Sequence, residues 1–223
     1  MKTIILGLAL LSLVCVAFGA DKAELNDQVR ALTAKFEAME LTPDKRVPAE
    51  VLRKAQGIIL LDCTKAGFMF AFQNGNGVTM VRDKWGNWSP VAFLTANEAS
   101  FGFQAGGEQN FYVILLMNTN ATRALIKPTI DFGGEAQGTA GDNSSAAEGK
   151  VASSLKSVLV YSDRNGFYAG AAMKAGSIMP DDKANTAYYD QYVSMSEILF
   201  DRKLEPSQAS FDLAKKIKTY SKK

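Results

Sequence analysis

The sequence predicts an α+β fold: one domain built on an antiparallel sheet rich in glycine and aromatic residues, with flanking helices. Three observations favour this class. Apolar residues recur at helical spacing near both ends of the chain, and apolar runs of strand length occupy the middle. Between Lys65 and Gly107, aromatic residues alternate with glycines, which is typical of strands whose backbones approach closely. The length of 223 residues suits a single large domain with short flanks.

The first residues have the pattern of an export signal. Lys2 precedes an apolar run from Ile4 to Phe18, and the small residues Ala17 and Gly19 stand where a cleavage site needs them. A permanent membrane anchor is less favoured because the run is short and lacks a stop-transfer flank. We therefore predict an exported protein, periplasmic or secreted and peripheral to a membrane. The expected segments are a signal peptide (1–19), an N-terminal amphipathic helix and linker (20–46), a main domain (47–190) and a C-terminal helical tail (191–223).

Cleavage would leave a nearly neutral chain with one cysteine. Removing Lys2 leaves 24 of the 25 basic residues against 23 acidic ones, so no overall field attracts nucleic acid or an anionic surface. Cys15 is lost with the signal, and an intramolecular disulfide is then impossible. Cys63 follows the apolar run Ile58–Leu61, so we expect it to be a buried apolar group.

The N-terminal region predicts two helices. Apolar residues at spacings of four, three, four and three predict a helix over Ala23–Met39: Leu25, Val29, Leu32, Phe36 and Met39. Packing on the sheet is favoured over lying on a membrane. Pro48 suits the first turn of a second helix that runs to Lys54.

The middle of the chain predicts strands. The apolar runs Ile58–Leu61 and Phe111–Met117 have strand length, and Phe68, Phe70 and Phe72 would share one face of another strand. A further strand is expected around Phe101 and Phe103. The pairs Asn74-Gly75 and Asn76-Gly77 predict tight hairpin turns.

The later elements follow from weaker signals. Asn120 or Thr119 is expected to cap a short helix over Arg123–Ile126. The span 133–150 has the composition of a long loop. The remaining predictions are strands at Thr129–Phe132 and Val151–Tyr161, a turn at Arg164-Asn165-Gly166, a helix over Gln191–Phe200, and a terminal helix from Pro206 with Phe211, Ala214 and Ile217 on one face.

The residue inventory argues against an enzyme. The chain has no histidine, which excludes Ser-His-Asp and Cys-His catalysis and every histidine-containing metal site. Phosphate-binding glycine loops are absent, and the carboxylates are scattered. Asp181-Asp182 lacks the pattern of a calcium loop. We therefore predict a non-enzymatic protein without a cofactor or metal.

A binding surface is the remaining prediction. Trp85 and Trp88 flank a Gly-Asn turn beside Arg82 and Lys84, and this composition is typical of a membrane–water interface. In the alternative interpretation, one tryptophan packs in the core and the other shields the sheet edge. The lysines that end the chain also allow two interpretations: a solvated helix C-terminus or a contact for anionic lipid headgroups.

Ordered short motifs give the sequence a family resemblance. They are Val47-Pro48, Leu52–Ile59, Lys65–Phe68, Gly75–Val78, Trp88-Ser-Pro, Ser100–Gly106, Phe111–Asn118, the small-residue span to Ala147, and Tyr161–Gly170. Together they resemble the SYLF lipid-binding family, also called the Ysc84-type actin-binding domain family, over residues 47–190. The resemblance implies a phospholipid-binding module, and some eukaryotic members bind actin.

The predicted lipid-binding residues come from both arguments. Lys54 and Lys65 fall inside the matching motifs, whereas Arg82, Lys84, Trp85 and Trp88 follow from the residue pattern of the turn. The expected partner is a phospholipid membrane surface. An envelope protein is the alternative partner, and no nucleic acid is expected.

Overall fold

The computed structural model describes residues 20–66, 70–101, 108–130, 157–163, 166–168 and 177–222. They form a seven-stranded antiparallel sheet with the order β6-β5-β4-β1-β2-β3-β7, flanked by helices, which confirms the predicted α+β class. The strands are β1 (Gly57–Ala66), β2 (Phe70–Val81), β3 (Ala92–Phe101), β4 (Glu108–Leu116), β5 (Val158–Ser162), β6 (Gly166–Tyr168) and β7 (Ser177–Pro180). The helices are α1 (Lys22–Glu40), α2 (Ala49–Lys54), α3 (Thr119–Arg123), α4 (Asp182–Tyr189) and α5 (Gln208–Tyr220), with a 3-10 turn (Ala124–Ile126) and a π-helical turn (Glu197–Asp201).

Helix α1 confirms the first predicted helix, and its apolar stripe is buried against the sheet and not exposed to a membrane. A capping box starts it: the Asp21 carboxylate accepts the Glu24 backbone N–H at 2.8 Å, and the Glu24 carboxylate accepts the Asp21 N–H at 3.4 Å. All five residues of the predicted stripe are buried. The helix therefore forms part of the domain core.

Each face of the sheet carries its own hydrophobic cluster, because successive strand residues point to opposite faces. On one face, Ile58 and Leu60 pack with the helices α1, α4 and α5. On the other, Ile59, Leu61 and Cys63 pack with the 3-10 turn and the π-helical turn. Cys63 is fully buried, as predicted.

The predicted hairpin turns at Asn74-Gly75 and Asn76-Gly77 are wrong. Both pairs lie inside β2, hydrogen-bonded between β1 and β3. The glycines are required by close approach: a Cβ on Gly75 would lie 2.8 Å from the Cys63 sulfur, and one on Gly77 would lie 2.7 Å from the Leu60 carbonyl oxygen. Asn-Gly therefore marks crowding here and not a turn.

Helix assignments at α3, at α4 and near Glu197 also differ from expectation, and in the first two a polar side chain caps the helix earlier than predicted. Asn118 caps α3 by accepting the Ala121 N–H at 2.9 Å, so neither Thr119 nor Asn120 is the cap. Asp181 caps α4 at Ala184 (3.0 Å), which places a helix ahead of the predicted start at Gln191. At Asp190 the backbone turns with a φ of 54°, and a helical turn resumes only near Glu197.

Helix α5 is present, and of its predicted face Ile217 is buried and Ala214 packs partly buried against the core, whereas the prediction for Phe211 is wrong. Phe211 is 56% exposed, whereas Leu213, Ile217 and Tyr220 are buried. The helix packs against α1, where the rings of Phe36 and Tyr220 meet edge to face with centroids 5.9 Å apart. Packing against α1 therefore covers the side of α5 that carries Leu213, Ile217 and Tyr220 and leaves Phe211 exposed.

Several predictions fall outside the described residues. They are the loop over 133–150, the start of the strand at Val151–Tyr161, the turn at 164–165 and the side chains of Phe68, Phe70, Phe72, Phe101 and Phe103. Of the predicted strand Thr129–Phe132, the described part shows an isolated bridge between Ile130 and Ile178.

Candidate functional site

Most of the predicted binding residues lie at one corner of the domain, around residues 83–88, which we call the Trp85 turn. It joins β2 to β3 and is closed by a bridge between Arg82 and Trp88. The Asp83 carboxylate accepts the backbone N–H groups of Trp85 and Asn87, both at 2.8 Å. Gly86 adopts a φ of 88°, a conformation that side chains disfavour. The predicted Gly-Asn turn is therefore present, and Asp83 organises it.

Arg202 ties the Trp85 turn to a distant part of the chain. Its guanidinium lies 3.0 Å from the Asp83 carboxylate and donates to the Asn87 carbonyl at 2.8 Å. The Asp83 side chain is only 13% exposed. Burial acts to raise the pKa of Asp83, but the hydrogen bonds from Asn87 and Trp85 and the charge of Arg202 outweigh it and lower the pKa. Sequence reasoning missed Arg202 because nothing local links it to a turn more than a hundred residues earlier.

The lowered pKa of Asp83 predicts an acid-sensitive turn. A carboxyl whose folded pKa is depressed stabilises the fold above its unfolded pKa, and this contribution is lost as the pH falls from 3.8 toward the folded value. We expect Asp83→Asn to lower the free energy of unfolding by about 1.5–3 kcal/mol at pH 7, typical of charged hydrogen bonds. The difference, measured by urea unfolding, should shrink as the pH falls below 3.8. A difference that is constant with pH would contradict the ionised role of Asp83.

Trp85 is the exposed aromatic residue of the turn. The residue is 74% exposed, and the Lys84 ammonium lies 4.4 Å from its ring centroid. Such a cation–π contact contributes little at a solvated surface. The contact nevertheless places an apolar ring and a positive charge side by side on a turn that Asp83 and Arg202 hold in place.

Trp88 and Arg82 face inward and support the turn. Trp88 is half-buried against the first core cluster, and the Arg82 guanidinium lies 4.5 Å from its ring centroid. Arg82 also donates to the carbonyls of Arg53 (2.5 Å) and Leu52 (3.4 Å), at the C-terminal end of α2. Burial lowers the pKa of Arg82. The two tryptophans therefore differ in role: Trp88 packs and Trp85 is exposed.

The end of α2 adds further cations beside the turn. Lys54 forms an exposed pair with Glu50 at 2.6 Å, an interaction that contributes little because water screens it. Arg53, which sequence reasoning did not select, is exposed, and its carbonyl is held by Arg82. Lys65 lies away from the turn. Its backbone stands opposite that of Glu108 in the ladder between β1 and β4. It is eight residues from Gly57, the end of β1 that lies opposite Val81 near the turn, which is about 26 Å at strand spacing.

The described residues contain neither a cluster of metal ligands nor a membrane-spanning helix. Among them, no group of three or more His, Cys, Asp or Glu side chains is arranged to hold a metal ion. No helix in the described part has both the length and the hydrophobicity needed to span a bilayer. An α+β domain with an exposed aromatic and basic turn belongs to the class of binding modules.

The family relationship agrees with this class. Residues 97–220, more than half of the chain, match the family Ysc84, described as "Las17-binding protein actin regulator". The chain belongs to the Ysc84 (SYLF) family, which confirms the resemblance seen in its motifs.

Curated relatives match most of the chain. It is 30% identical to human SH3 domain-containing YSC84-like protein 1 over 183 residues, which cover 81% of this chain and 53% of that protein. The Xenopus laevis protein of the same name is 31% identical over 170 residues (75% and 51%). Protein YSC84 of Saccharomyces cerevisiae is 30% identical over 170 residues (74% and 36%). The chain thus spans about half or less of these relatives, and no solved structure matches it.

Proposed function

We propose that this chain is a non-enzymatic phospholipid-binding module that contacts membranes through the Trp85 turn. The observation that carries the proposal is the 74% exposure of Trp85 on a turn with fixed geometry. A large aromatic side chain is costly to leave in water, and its amphipathic ring suits the headgroup region of a bilayer.

The supporting contacts make the turn ready to bind. Because Asp83 and Arg202 already hold the backbone, little conformational entropy is lost when the turn meets a surface. The exposed cations Arg53, Lys54 and Lys84 lie beside it and favour anionic lipids. The turn would then combine apolar insertion with charge attraction.

Replacing Trp85 by alanine tests the proposal. Full burial of a tryptophan side chain removes about 200 Å² from water, worth roughly 5 kcal/mol at about 25 cal/mol per Å². Interfacial insertion buries part of this, so we expect Trp85→Ala to weaken vesicle binding about 10- to 30-fold. Co-sedimentation with phosphatidylcholine–phosphatidylserine vesicles measures the change.

Tyr192→Ala is the matched control, because Tyr192 is 79% exposed but lies outside the Trp85 turn. We expect it to bind vesicles like the unchanged protein, and both variants should keep the thermal midpoint. Equal binding by Trp85→Ala and the unchanged protein would refute the turn as the contact.

Actin binding is the second candidate function, favoured by the family description as an actin regulator. Co-sedimentation with filamentous actin, on the same protein samples, tests it. Pelleting with actin but not with vesicles would favour a protein-interaction module over the membrane contact.

We also propose that the chain is exported and acts at an envelope surface. The capping residue of α1 is Asp21, immediately after the expected new N-terminus at Ala20, so the predicted cleavage leaves the described fold intact. The mass of the mature protein, recovered from cell fractions, tests this proposal. A full-length product confined to the cytoplasm would contradict it.

A further inference from the structure

The outward face of α5 carries a regular row of residues that we call the α5 stripe: Phe211, Lys215, Lys218 and Lys222. Their spacings of four, three and four place them on one side of the helix. The buried residues Leu213, Ile217 and Tyr220 occupy the opposite side. All four members of the stripe are exposed.

The stripe lysines form no ion pairs among the described residues. Lys216, on the flank of the same helix, is paired with Glu37 of α1 at 2.5 Å. In the described part of the chain, by contrast, no carboxylate lies within 4 Å of the ammonium groups of Lys215, Lys218 or Lys222. Asp212 accepts a hydrogen bond from Gln208 at 2.9 Å. The three lysines therefore form no ion pair, although Glu37 and Asp212 line one depression with Lys215.

Helix electrostatics explain only part of this arrangement. Cations near a helix C-terminus interact favourably with the helix dipole, which accounts for Lys218 and Lys222. Lys215 stands more than one turn before Tyr220, beyond the range of that effect, and the dipole gives no reason for an exposed phenylalanine. Phe211 is 56% exposed at the start of the same row.

We infer that the α5 stripe is a second membrane contact, specific for anionic bilayers, an inference that rests on the proposed membrane function. From Phe211 to Lys222 the stripe is about 16 Å long at 1.5 Å per residue, too long for one phosphate group. Lys215, Lys218, Lys222 and Thr219 line a shallow depression of about 430 Å³. Lysine stems can lie along such a surface while their ammonium groups reach a row of headgroups.

The two contacts would act through different forces. At the Trp85 turn, burial of an aromatic ring adds to the attraction of the neighbouring cations, and the part due to the ring depends weakly on lipid charge and salt. The stripe gains from three cations, whose attraction to anionic lipids is screened by salt. Each lysine near an anionic surface changes affinity by about a factor of five, so removing three should weaken binding on the order of 100-fold.

The test removes the three charges together, as Lys215→Gln, Lys218→Gln and Lys222→Gln in the full chain. A matched triple variant, with Lys127, Lys183 and Lys203 changed to Gln, lowers the net charge equally at exposed positions away from the stripe. Binding is measured with phosphatidylcholine vesicles, with and without phosphatidylserine, at low and high salt. We expect the stripe variant to lose about 100-fold on anionic vesicles and little on neutral ones, and the control to change a few-fold.

Each outcome decides between the proposals. A stripe variant that binds anionic vesicles like the control overturns the inference and leaves the lysines to solvent or an acidic protein. Loss of vesicle binding in the stripe variant but not in Trp85→Ala supports the stripe as a membrane contact and refutes the Trp85 turn as one. An unchanged protein that binds no vesicle overturns both. Equal thermal midpoints of both triple variants exclude misfolding as the cause.

Discussion

Replacing Asn185 by leucine is expected to lower the free energy of unfolding by about 2–4 kcal/mol, a large share of a typical domain stability. Asn185 is fully buried on α4. Its side-chain oxygen accepts the Phe93 N–H at 2.8 Å, and its side-chain nitrogen donates to the Phe93 carbonyl at 3.3 Å. Leucine has a similar volume but offers the Phe93 N–H no acceptor, whereas the Phe93 carbonyl keeps the Asp181 N–H at 3.0 Å.

The cost arises because the sheet ladder ends at this point. Strand β7 pairs with β3 only from Leu94 to Asn97, so Phe93 has no strand neighbour on that side. The Asn185 side-chain amide takes the place of a neighbouring strand by bonding to the Phe93 backbone. The Phe93 ring also packs against Tyr188, with ring centroids 4.8 Å apart. Leucine would leave the buried Phe93 N–H without a partner.

Urea unfolding of the unchanged protein and of Asn185→Leu measures the loss of stability. Asn97→Ala is the control, because Asn97 is exposed on the same strand, and its replacement should change stability by less than about 0.5 kcal/mol. If Asn185→Leu matches this control, the amide is not a required ladder partner.

The second large effect is expected for Gly77→Ala, which should destabilise the fold by about 1–3 kcal/mol or prevent its accumulation. The added Cβ would lie 2.7 Å from the Leu60 carbonyl oxygen, a backbone atom held by the pairing of β1 with its neighbours. The strands must separate to admit it, because no rotamer change relieves a backbone contact. Thermal unfolding measures the loss.

Gly75→Ala is the informative comparison. Its Cβ would meet the Cys63 sulfur at 2.8 Å, which is a side-chain atom. We expect Cys63→Ala to restore part of the stability lost in Gly75→Ala, and to restore none in Gly77→Ala. Equal rescue of both variants would show that backbone crowding is not what requires Gly77.

Local patterns predicted the elements whose burial follows their own periodicity. The stripe of α1 from Leu25 to Met39 was correct because every member faces the sheet. The buried β1 segment from Ile58 to Leu61 was also correct. At the candidate site, the pattern around Trp85 and Trp88 located the turn, although it did not separate the exposed ring from the packed one.

What failed depends on contacts between distant residues. The glycines at 75 and 77 have the local sequence of turns, and only the strands on both sides reveal that they are crowded. Arg202 and Asn185 support Asp83 and Phe93 from far along the chain, and single-sequence patterns carry no record of such partners. The prediction that Phe211 lies on the buried face of α5 failed for the same reason, since packing against α1 decides which side of the helix is covered.

The contact between α1 and α5 has a consequence for the order in which the domain forms during synthesis. Phe36 and Tyr220 touch, as do Glu37 and Lys216, although nearly the whole described chain separates them. Residues Leu25 to Met39 leave the ribosome long before the helix that covers them. The apolar surface of α1 and the sheet that α5 covers therefore stays exposed until residue 220 has emerged. Chaperone dependence of this protein should be concentrated in that interval.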